Sequence, residues 1–233
     1  SLHCWGSGYL GGGTSTTATD PRPIPGVSGS LEVAVGGRHG CFVDSDRQLL
    51  CWGSNNRGNV GDGTRVNRLS PVVIDGMTSI RRVAAGSTHT CAVGGEGQVW
   101  CWGWNNGGPL GNEVDEHALS PLLIEPRTIA GEVYELPPVA ALAASYYSTC
   151  ALLQESAGVV CWGGQSSTYG TQGIGSWNYG FAPVSDLGGT ALQIASSYGA
   201  NCARLEGGAL RCWGENEGGQ VGDGTNIGQN RPV

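Results

Sequence analysis

The chain has 233 residues with 42 glycines, 39% hydrophobic residues and only 13% charged residues, which is typical of short strands joined by tight turns and not of a disordered chain. Its net charge is −7 and its 12 basic residues are all scattered arginines, so we expect no concentrated basic face and no nucleic-acid partner. No apolar run approaches the roughly 18 residues of a transmembrane segment, and none is therefore predicted.

The tripeptide Cys-Trp-Gly occurs five times along the chain, at intervals of 47 to 60 residues. Cysteine and tryptophan are rare residues, so chance does not explain five copies. Intervals of this length are typical of propeller blades or solenoid units. The copies begin at Cys4, Cys51, Cys101, Cys161 and Cys212.

A second pattern precedes the last four triplets. In segment 83–91, for example, an apolar residue and an alanine begin a short run that ends at Cys91. A polar, glycine-containing turn follows, and a second apolar run then leads into Cys101-Trp102-Gly103. Two apolar runs about a turn of this composition predict a β-hairpin.

Each triplet leads into a polar, mostly glycine-rich stretch such as 54–64 or 215–225, where Asn-Asn and Asp-Gly favour tight turns. A proline and an apolar residue come next, and we expect this pair to begin a further strand, because the first residue of a strand needs no N–H for the ladder. Each repeat is thus predicted to be an all-β propeller blade of about four strands, and no segment has the periodicity of an amphipathic helix. The prolines are Pro23, Pro71, Pro121, Pro183 and Pro232.

The repeated motif resembles that of a known family. Its consensus is apolar-Ala-x-Gly-x-x-His-x-Cys, a hairpin, and Cys-Trp-Gly-x-Asn-x-x-Gly-x-apolar-Gly-Asp-Gly-Thr, which is similar to the repeat of the regulator of chromosome condensation family. The similarity spans nearly the whole chain, is most specific in the second and fifth copies, and is weaker in the fourth, where Ser148 takes the histidine position. The resemblance implies a β-propeller, usually of seven blades, and the bacterial type with paired cysteines.

The repeats divide the chain into one array. We expect a trailing half blade at 1–30, followed by repeat units at 31–80, 81–139, 140–191 and 192–233, the last of them incomplete. The chain thus opens midway through a hairpin, and we expect a partial propeller or part of a larger one. The missing strands would come either from further sequence or from a neighbouring subunit, and the second case would give a head-to-tail assembly through open blade edges.

Eight of the nine cysteines form pairs that are 10 or 11 residues apart across a predicted hairpin turn. Opposed residues of antiparallel strands lie close enough for a disulfide, whereas the spacing fits neither a zinc knuckle nor a Cys-x-x-Cys redox motif. Free buried cysteines in a cytosolic propeller are the alternative. The near-constant spacing favours disulfides and an oxidising location that is extracellular, at the cell surface or periplasmic. The pairs are Cys41/Cys51, Cys91/Cys101, Cys150/Cys161 and Cys202/Cys212, which leaves Cys4 unpaired or paired outside this chain.

The tryptophans of the five triplets are expected to occupy equivalent, largely buried places in successive blades. The glycine after each would allow neighbouring backbone to approach closely. These residues are Trp5, Trp52, Trp102, Trp162 and Trp213.

Residues of the types that can take part in catalysis or metal binding recur at equivalent positions of the repeat. His39 and His89 stand at equivalent positions that later units fill with Ser148 and Ala200, so a structural hydrogen bond is a better interpretation than catalysis or metal binding. The Asp-Gly turns offer a single carboxylate each, too few for calcium. The sequence therefore predicts no catalytic residue, no metal and no cofactor.

Aromatic residues outside the repeat pattern are candidate binding residues. Exposed aromatic side chains make good anchors for a partner, and the alternative is that they pack over blade edges as a satellite core. The candidates are Trp104, Tyr169, Trp177, Tyr179 and Phe181.

These observations predict a non-catalytic, extracytoplasmic binding or structural scaffold whose partner is a protein or a surface ligand. The family resemblance implies a first alternative, guanine-nucleotide exchange on a small GTPase, although that role belongs to a reducing compartment where disulfides do not persist. The second alternative is a secreted protein inhibitor or a subunit of a head-to-tail extracellular filament.

Overall fold

Nineteen short β-strands run through the part of the chain that the computed structural model describes, namely residues 1–111, 117–125, 127–129, 132–164 and 181–233. A half blade pairs β1 (His3–Gly6) with β2 (Ala18–Pro23). Blade 2 follows, with its strands in chain order across the sheet: β3 (Glu32–Val35), β4 (His39–Val43), β5 (Leu49–Gly53) and β6 (Arg68–Val73).

Blade 3 repeats this antiparallel order with β7 (Arg82–Ala85), β8 (His89–Val93), β9 (Val99–Gly103) and β10 (Ala118–Leu123). A small hairpin that the sequence pattern did not predict comes next, with β11 (Arg127–Ile129) and β12 (Glu132–Tyr134). Blade 4 consists of β13 (Val139–Ala144), β14 (Ser148–Leu153), β15 (Val159–Gly163) and β16 (Ala182–Pro183).

Blade 5 contains β17 (Ala191–Ser197), β18 (Ala200–Leu205) and β19 (Leu210–Gly214). The C-terminal segment lies where a fourth strand would be, since Cys212 and Val233 exchange backbone hydrogen bonds of 3.1 and 3.0 Å and Gly214 bridges to Gln229. The first strands of successive blades, β3, β7, β13 and β17, contact one another in order. This arrangement confirms the predicted all-β fold, a partial β-propeller with four-stranded blades. No helix within the described ranges is long and apolar enough to cross a membrane.

The four cysteine pairs lie directly opposite each other in the central hairpins of blades 2 to 5. Each pair forms a disulfide within its own hairpin, with S–S distances of 2.10 to 2.14 Å. Cys4, on β1, is the free cysteine, and burial raises the pKa of its thiol.

The core lies between the blades, where each sheet packs face to face with the next. The disulfide of one blade and its apolar neighbours pack against the triplet tryptophan of the following blade: Cys41–Cys51 against Trp102, Cys91–Cys101 against Trp162, and Cys150–Cys161 against Trp213. Four of the five triplet tryptophans are 0–2% exposed, as predicted, namely Trp52, Trp102, Trp162 and Trp213.

Trp5 contradicts this expectation, because its side chain is 62% exposed. The burial of a triplet tryptophan depends on the face of the preceding sheet, and no sheet precedes β1–β2 among the residues that the structure describes. The repeat pattern predicted the position of Trp5 in its strand correctly, but burial is a property of two adjacent blades.

The glycine after the triplet tryptophan allows the close approach that we expected in blades 2 to 5, whereas a β-carbon on Gly6 would have no neighbour within 4 Å. Gly53 and Gly103 have φ angles of 116° and 104°, and a β-carbon on them would lie 2.5 Å from the Cα of His39 and 2.6 Å from the carbonyl oxygen of Thr88. Any other residue would therefore push the two strands of its hairpin apart.

The prediction that a proline begins the outermost strand is wrong in the half blade and in blades 2 to 4, and Pro23 and Pro183 are the last residues of β2 and β16. Pro71 and Pro121 lie inside β6 and β10, which begin three residues earlier. The pairing register shifts next to both prolines, and each strand lies at the outer edge of its sheet. An edge strand with an irregular ladder tolerates a residue without an N–H group.

Candidate binding surface

The structure describes two of the predicted binding aromatics, Phe181 and Trp104, and places them in different environments. Phe181 is only 5% exposed and packs edge-on against Trp162, with 4.9 Å between ring centroids. It belongs to the core between blades 3 and 4, which favours the packing alternative for this residue over a binding anchor. Tyr169, Trp177 and Tyr179 lie outside the described residues.

Trp104 is half-buried at the start of the loop that follows β9. Its backbone N–H donates to the carbonyl of Thr88 at 2.9 Å, which holds the loop against blade 3. The guanidinium of Arg57, from blade 2, lies 4.6 Å from the centroid of the indole ring, a cation–π distance. Tyr147 of blade 4 approaches the same indole, with 5.9 Å between centroids.

Two further tyrosines extend this contact across the next blades. The rings of Tyr147 and Tyr146 lie 4.3 Å apart, and those of Tyr146 and Tyr198 lie 5.3 Å apart. We call Trp104, Tyr147, Tyr146 and Tyr198 the aromatic strip. Neighbouring rings within this distance range attract each other through their edges and faces, which helps to fix the strip in place.

The topology explains why these residues meet. Tyr146 and Tyr147 occupy the turn between the first and second strands of blade 4, and Tyr198 occupies the same turn in blade 5. Trp104 follows the third strand of blade 3. In an antiparallel sheet these positions lie at one end of the strands, so three adjacent blades present them on one surface.

Backbone hydrogen bonds between neighbouring turns hold this surface together. The N–H groups of Gly37, Ser87 and Tyr146 donate to the carbonyls of Gly86, Ser145 and Tyr198 in the next blade, at 3.2, 3.2 and 2.9 Å. These bonds connect blades 2 to 5 in succession.

An open cavity of about 380 Å³ lies beside these turns. Its described lining consists of glycine, alanine, serine and valine residues together with Tyr146 and Tyr198, without a charged or histidine side chain. Such a lining offers hydroxyl groups, backbone groups and aromatic faces for binding. It offers no acid–base pair of the kind that catalysis by side chains requires.

Opposite charges lie at the two ends of the aromatic strip. Arg57 is at the Trp104 end, and Glu215, whose side chain covers Gly199, is at the Tyr198 end. Burial raises the pKa of Glu215, and the negative charge of Glu217 raises it further. Burial also raises the pKa of Tyr147, with smaller contributions from Tyr146, Tyr198 and Glu215.

The repeated histidines serve the interfaces between blades. Nε2 of His39 lies 2.8 Å from Oγ1 of Thr90, whose hydroxyl donates to the carbonyl of Asn59. Because that hydroxyl proton is used, the imidazole must donate its N–H to the threonine. Nε2 of His89 makes the same contact with Thr149, at 3.0 Å. Burial lowers the pKa of His39 to about 4 and that of His89 to about 3, so both are neutral at pH 7.

The aspartates of the Asp-Gly turns close their own loops. Oδ1 of Asp62 accepts bonds from the backbone N–H and the hydroxyl of Thr64 and from the amide of Asn55. Asp223 accepts equivalent bonds from Thr225 and Asn216. Among the described residues, no three His, Cys, Asp or Glu side chains cluster so that they could hold a metal ion.

Sequence reasoning identified Trp104 but missed the rest of the strip. Tyr146 and Tyr198 both stand four residues before the first cysteine of their blade, where blades 2 and 3 have Gly37 and Ser87. Alignment of the repeats on their cysteines therefore contains the signal, which is an aromatic residue at one turn position in two successive blades. Arg57 carries no such signal, because its contact with Trp104 crosses between blades.

Fold and repeats together define a β-propeller repeat protein. Two family models, both described as the regulator of chromosome condensation (RCC1) repeat, match this chain, one at residues 46–93 and 96–152 and the other at 32–59 and 80–108. The chain belongs to the family of RCC1-repeat proteins.

Solved structures of the same fold confirm this architecture. Human WBSCR16 has a TM-score of 0.79 at 19% identity over 94% of this chain and 56% of its own. Prp20p from Saccharomyces cerevisiae has a TM-score of 0.79 at 17% identity over 98% of this chain and 55% of its own. Yeast RCC1 (Prp20), in a complex with Kap60, has the same score at 21% identity over 99% of this chain and 56% of its own.

This chain thus spans just over half the length of these structures. At such identities the similarity shows the fold alone. Comparison with curated protein sequences gives no match.

Proposed function

We propose that this chain is a non-catalytic binding scaffold that engages a protein or a surface ligand through the aromatic strip. The observation that carries this proposal is the continuity of four aromatic rings across three blades, from Trp104 to Tyr198. Rigid tyrosine and tryptophan side chains provide large contact area at low entropic cost, and such residues dominate binding energy at interfaces. The uncharged lining of the adjacent cavity supports binding rather than acid–base chemistry.

We also propose that the scaffold works outside the cytoplasm. Four disulfides, one in each of blades 2 to 5, persist only in an oxidising compartment. The intact native protein, measured by mass spectrometry, should lack eight hydrogens relative to the fully reduced chain. Complete alkylation of all nine cysteines in the unreduced, denatured protein would contradict the proposed location.

A second candidate function is nucleotide exchange on a small GTPase. Prp20p, which has the same fold, binds Gsp1p and histones. The similarity is limited to the fold, and the disulfides disfavour a reducing setting. Release of labelled GDP from a small GTPase tests this candidate directly, and release at the intrinsic rate would reject it.

The test of the binding proposal compares three immobilised proteins. The native chain, a Trp104→Ala/Tyr146→Ala variant and a Leu210→Ala variant are exposed to the same extracellular protein and glycan fractions. Leu210 is a matched control, since it is an exposed apolar residue at the other end of blade 5. We expect a partner that binds the native chain and the control but loses at least tenfold in affinity for the double variant, because hot-spot aromatics contribute about 1–2 kcal/mol or more each.

Direct protection of the strip provides the second readout. Hydroxyl-radical labelling of Tyr146 and Trp104 should fall when the partner is bound. A partner that binds native and double-variant protein equally would place the binding surface elsewhere.

A further inference from the structure

The Tyr198 end of the strip has an unusual combination of exposure and backbone conformation. Tyr198 is 66% exposed and has a φ of 34°, in the region that residues other than glycine rarely adopt. Ser197 pairs with Ala200 in the hairpin, so Tyr198 is the first residue of a two-residue turn. Glycine is favoured at such positions. A strained residue that buries little of its own surface indicates a use other than stability.

A carboxylate without a cationic partner lies over the turn that contains this tyrosine. Glu215 packs over Gly199, the residue after Tyr198, and is half-buried. The ion pairs among the described residues are Arg68–Asp62, Arg82–Glu32 and Arg231–Asp186, and none includes Glu215. The charge of Glu217 is close enough to disfavour a second negative charge on Glu215. This end of the strip is therefore acidic and lacks a compensating cation from Arg or His side chains of the described chain.

The opposite end of the strip shows what such a surface can hold. There the guanidinium of Arg57 stacks over Trp104 at 4.6 Å. A cation on an aromatic face is attracted by the ring quadrupole, and a neighbouring carboxylate strengthens that attraction. The Tyr198 end offers both components, two adjacent tyrosine rings and a carboxylate.

We propose that Tyr198, Tyr146 and Glu215 form a subsite for an arginine side chain of a protein partner. The guanidinium stacks on the tyrosine rings and its charge faces the carboxylate, and the adjacent uncharged cavity receives the residues that flank the arginine. Charge complementarity selects a cationic peptide segment over a neutral one, and arginine suits the site better than lysine because its planar guanidinium can stack. This inference rests on the proposed binding function and specifies its ligand.

Paired peptides test the subsite. One fluorescein-labelled peptide, Gly-Ser-Arg-Ser-Gly-Arg-Ser-Gly, is compared with the same peptide carrying citrulline at both arginine positions, which keeps the shape and removes the charge. Fluorescence polarisation at low ionic strength should show at least tenfold tighter binding of the arginine peptide to the native chain. Tyr198→Ala and Glu215→Gln should each reduce that affinity by about 3- to 30-fold.

Glu206→Gln is the matched control. Glu206 is exposed in the turn between β18 and β19, at the other end of the same blade, and its replacement changes the net charge by the same amount as Glu215→Gln. We expect less than a twofold effect on the affinity for the arginine peptide. Because Tyr198→Ala could alter the turn, Tyr198→Gly, which fits the backbone better, serves as a second variant and should lose the same affinity.

The outcomes separate this inference from the proposed function. Equal binding of the arginine and citrulline peptides, or an equal effect of Glu206→Gln, would overturn the arginine subsite. Tighter binding of a neutral trisaccharide such as chitotriose would overturn it in favour of sugar stacking. If the Trp104→Ala/Tyr146→Ala variant loses its partner while Tyr198→Ala and Glu215→Gln keep it, the scaffold function stands and the subsite fails. If none of these variants matters, both fail.

Discussion

The buried histidines make the stability of the fold depend on pH. His39 and His89 are neutral in the folded protein, and burial lowers their pKa values to about 4 and about 3. In the unfolded chain a histidine has a pKa of about 6.5. Below that value the unfolded state binds protons that the folded state does not, so stability is complete above pH 6.5 and falls as the pH drops.

We therefore predict a loss of unfolding free energy between pH 6.5 and pH 4, of about 3 kcal/mol for His39 alone. Urea unfolding at several pH values measures this loss. His89→Ser, which introduces the residue that blade 4 uses at this position, should flatten the pH dependence. His3→Gln is the control, since His3 is exposed, and it should leave the dependence unchanged. If the unfolding free energy of His89→Ser depended on pH as steeply as that of the native protein, His89 would not be a source of the pH dependence.

In the turn between β17 and β18 we expect Tyr198 to favour binding and to lower the stability of the fold. Tyr198→Gly removes a side chain from a positive-φ position and should raise the unfolding free energy by about 0.5–1 kcal/mol. The same replacement of Tyr146, whose φ is not positive, should not stabilise the protein. Thermal unfolding of both variants measures the difference. A destabilising effect of Tyr198→Gly would show that ring contacts, rather than backbone strain, dominate at this turn.

At the scale of the element, the tryptophan of each hairpin couples one blade to the previous one. Nε1 of Trp102 donates to the carbonyl of Asn59 at 3.0 Å, and the equivalent bond of Trp162 goes to Pro109 at 2.9 Å. Trp102→Phe keeps an aromatic ring, leaves that carbonyl with one fewer partner and also loses part of the ring volume. We expect a loss of at least about 1 kcal/mol of unfolding free energy.

Trp5→Phe is the matched control for this prediction. The same residue of the same motif is 62% exposed there, so the change should lie within about 0.5 kcal/mol. Denaturant titration of the two variants side by side measures the contrast. Equal effects would mean that the tryptophans stabilise their own hairpins rather than the interfaces between blades.

The hairpins could be predicted from sequence because their determinants are local. The interval between Cys91 and Cys101 sets the length of the turn and the register of the two strands at once, and the same interval recurs in three of the four pairs. The start of β6 could not be predicted, because an edge strand with a shifted register has no regular alternation. The strip was missed for a different reason. Trp104 and Tyr198 are 94 residues apart in sequence, and only the packing of three blades brings them onto one surface.

The whole molecule is a series of interfaces between neighbouring sheets. Each core cluster of the described residues joins two adjacent sheets: the half blade with blade 2, blade 2 with blade 3, blade 3 with blade 4, and blade 4 with blade 5. Backbone hydrogen bonds also connect the turn between the first and second strands of blades 2, 3 and 4 with the same turn of the following blade. When each unit contacts only its neighbours, stability is approximately a sum of unit and interface contributions, as in solenoid repeats. A defect at one interface should then destabilise the two blades that meet there more than the blades farther away.

Trp162→Ala tests this view at the interface between blades 3 and 4. Trp162 is fully buried against the Cys91–Cys101 disulfide, and its truncation should cost about 3–5 kcal/mol. We expect faster amide hydrogen exchange in the β8–β9 and β14–β15 hairpins, which flank the defect, and a smaller change in β4–β5, which lies one interface away. Leu210→Ala, at an exposed position, should leave exchange unchanged. A uniform increase across all hairpins would instead show that the blades open as one cooperative unit, since in that case the loss at one interface is shared by every sheet.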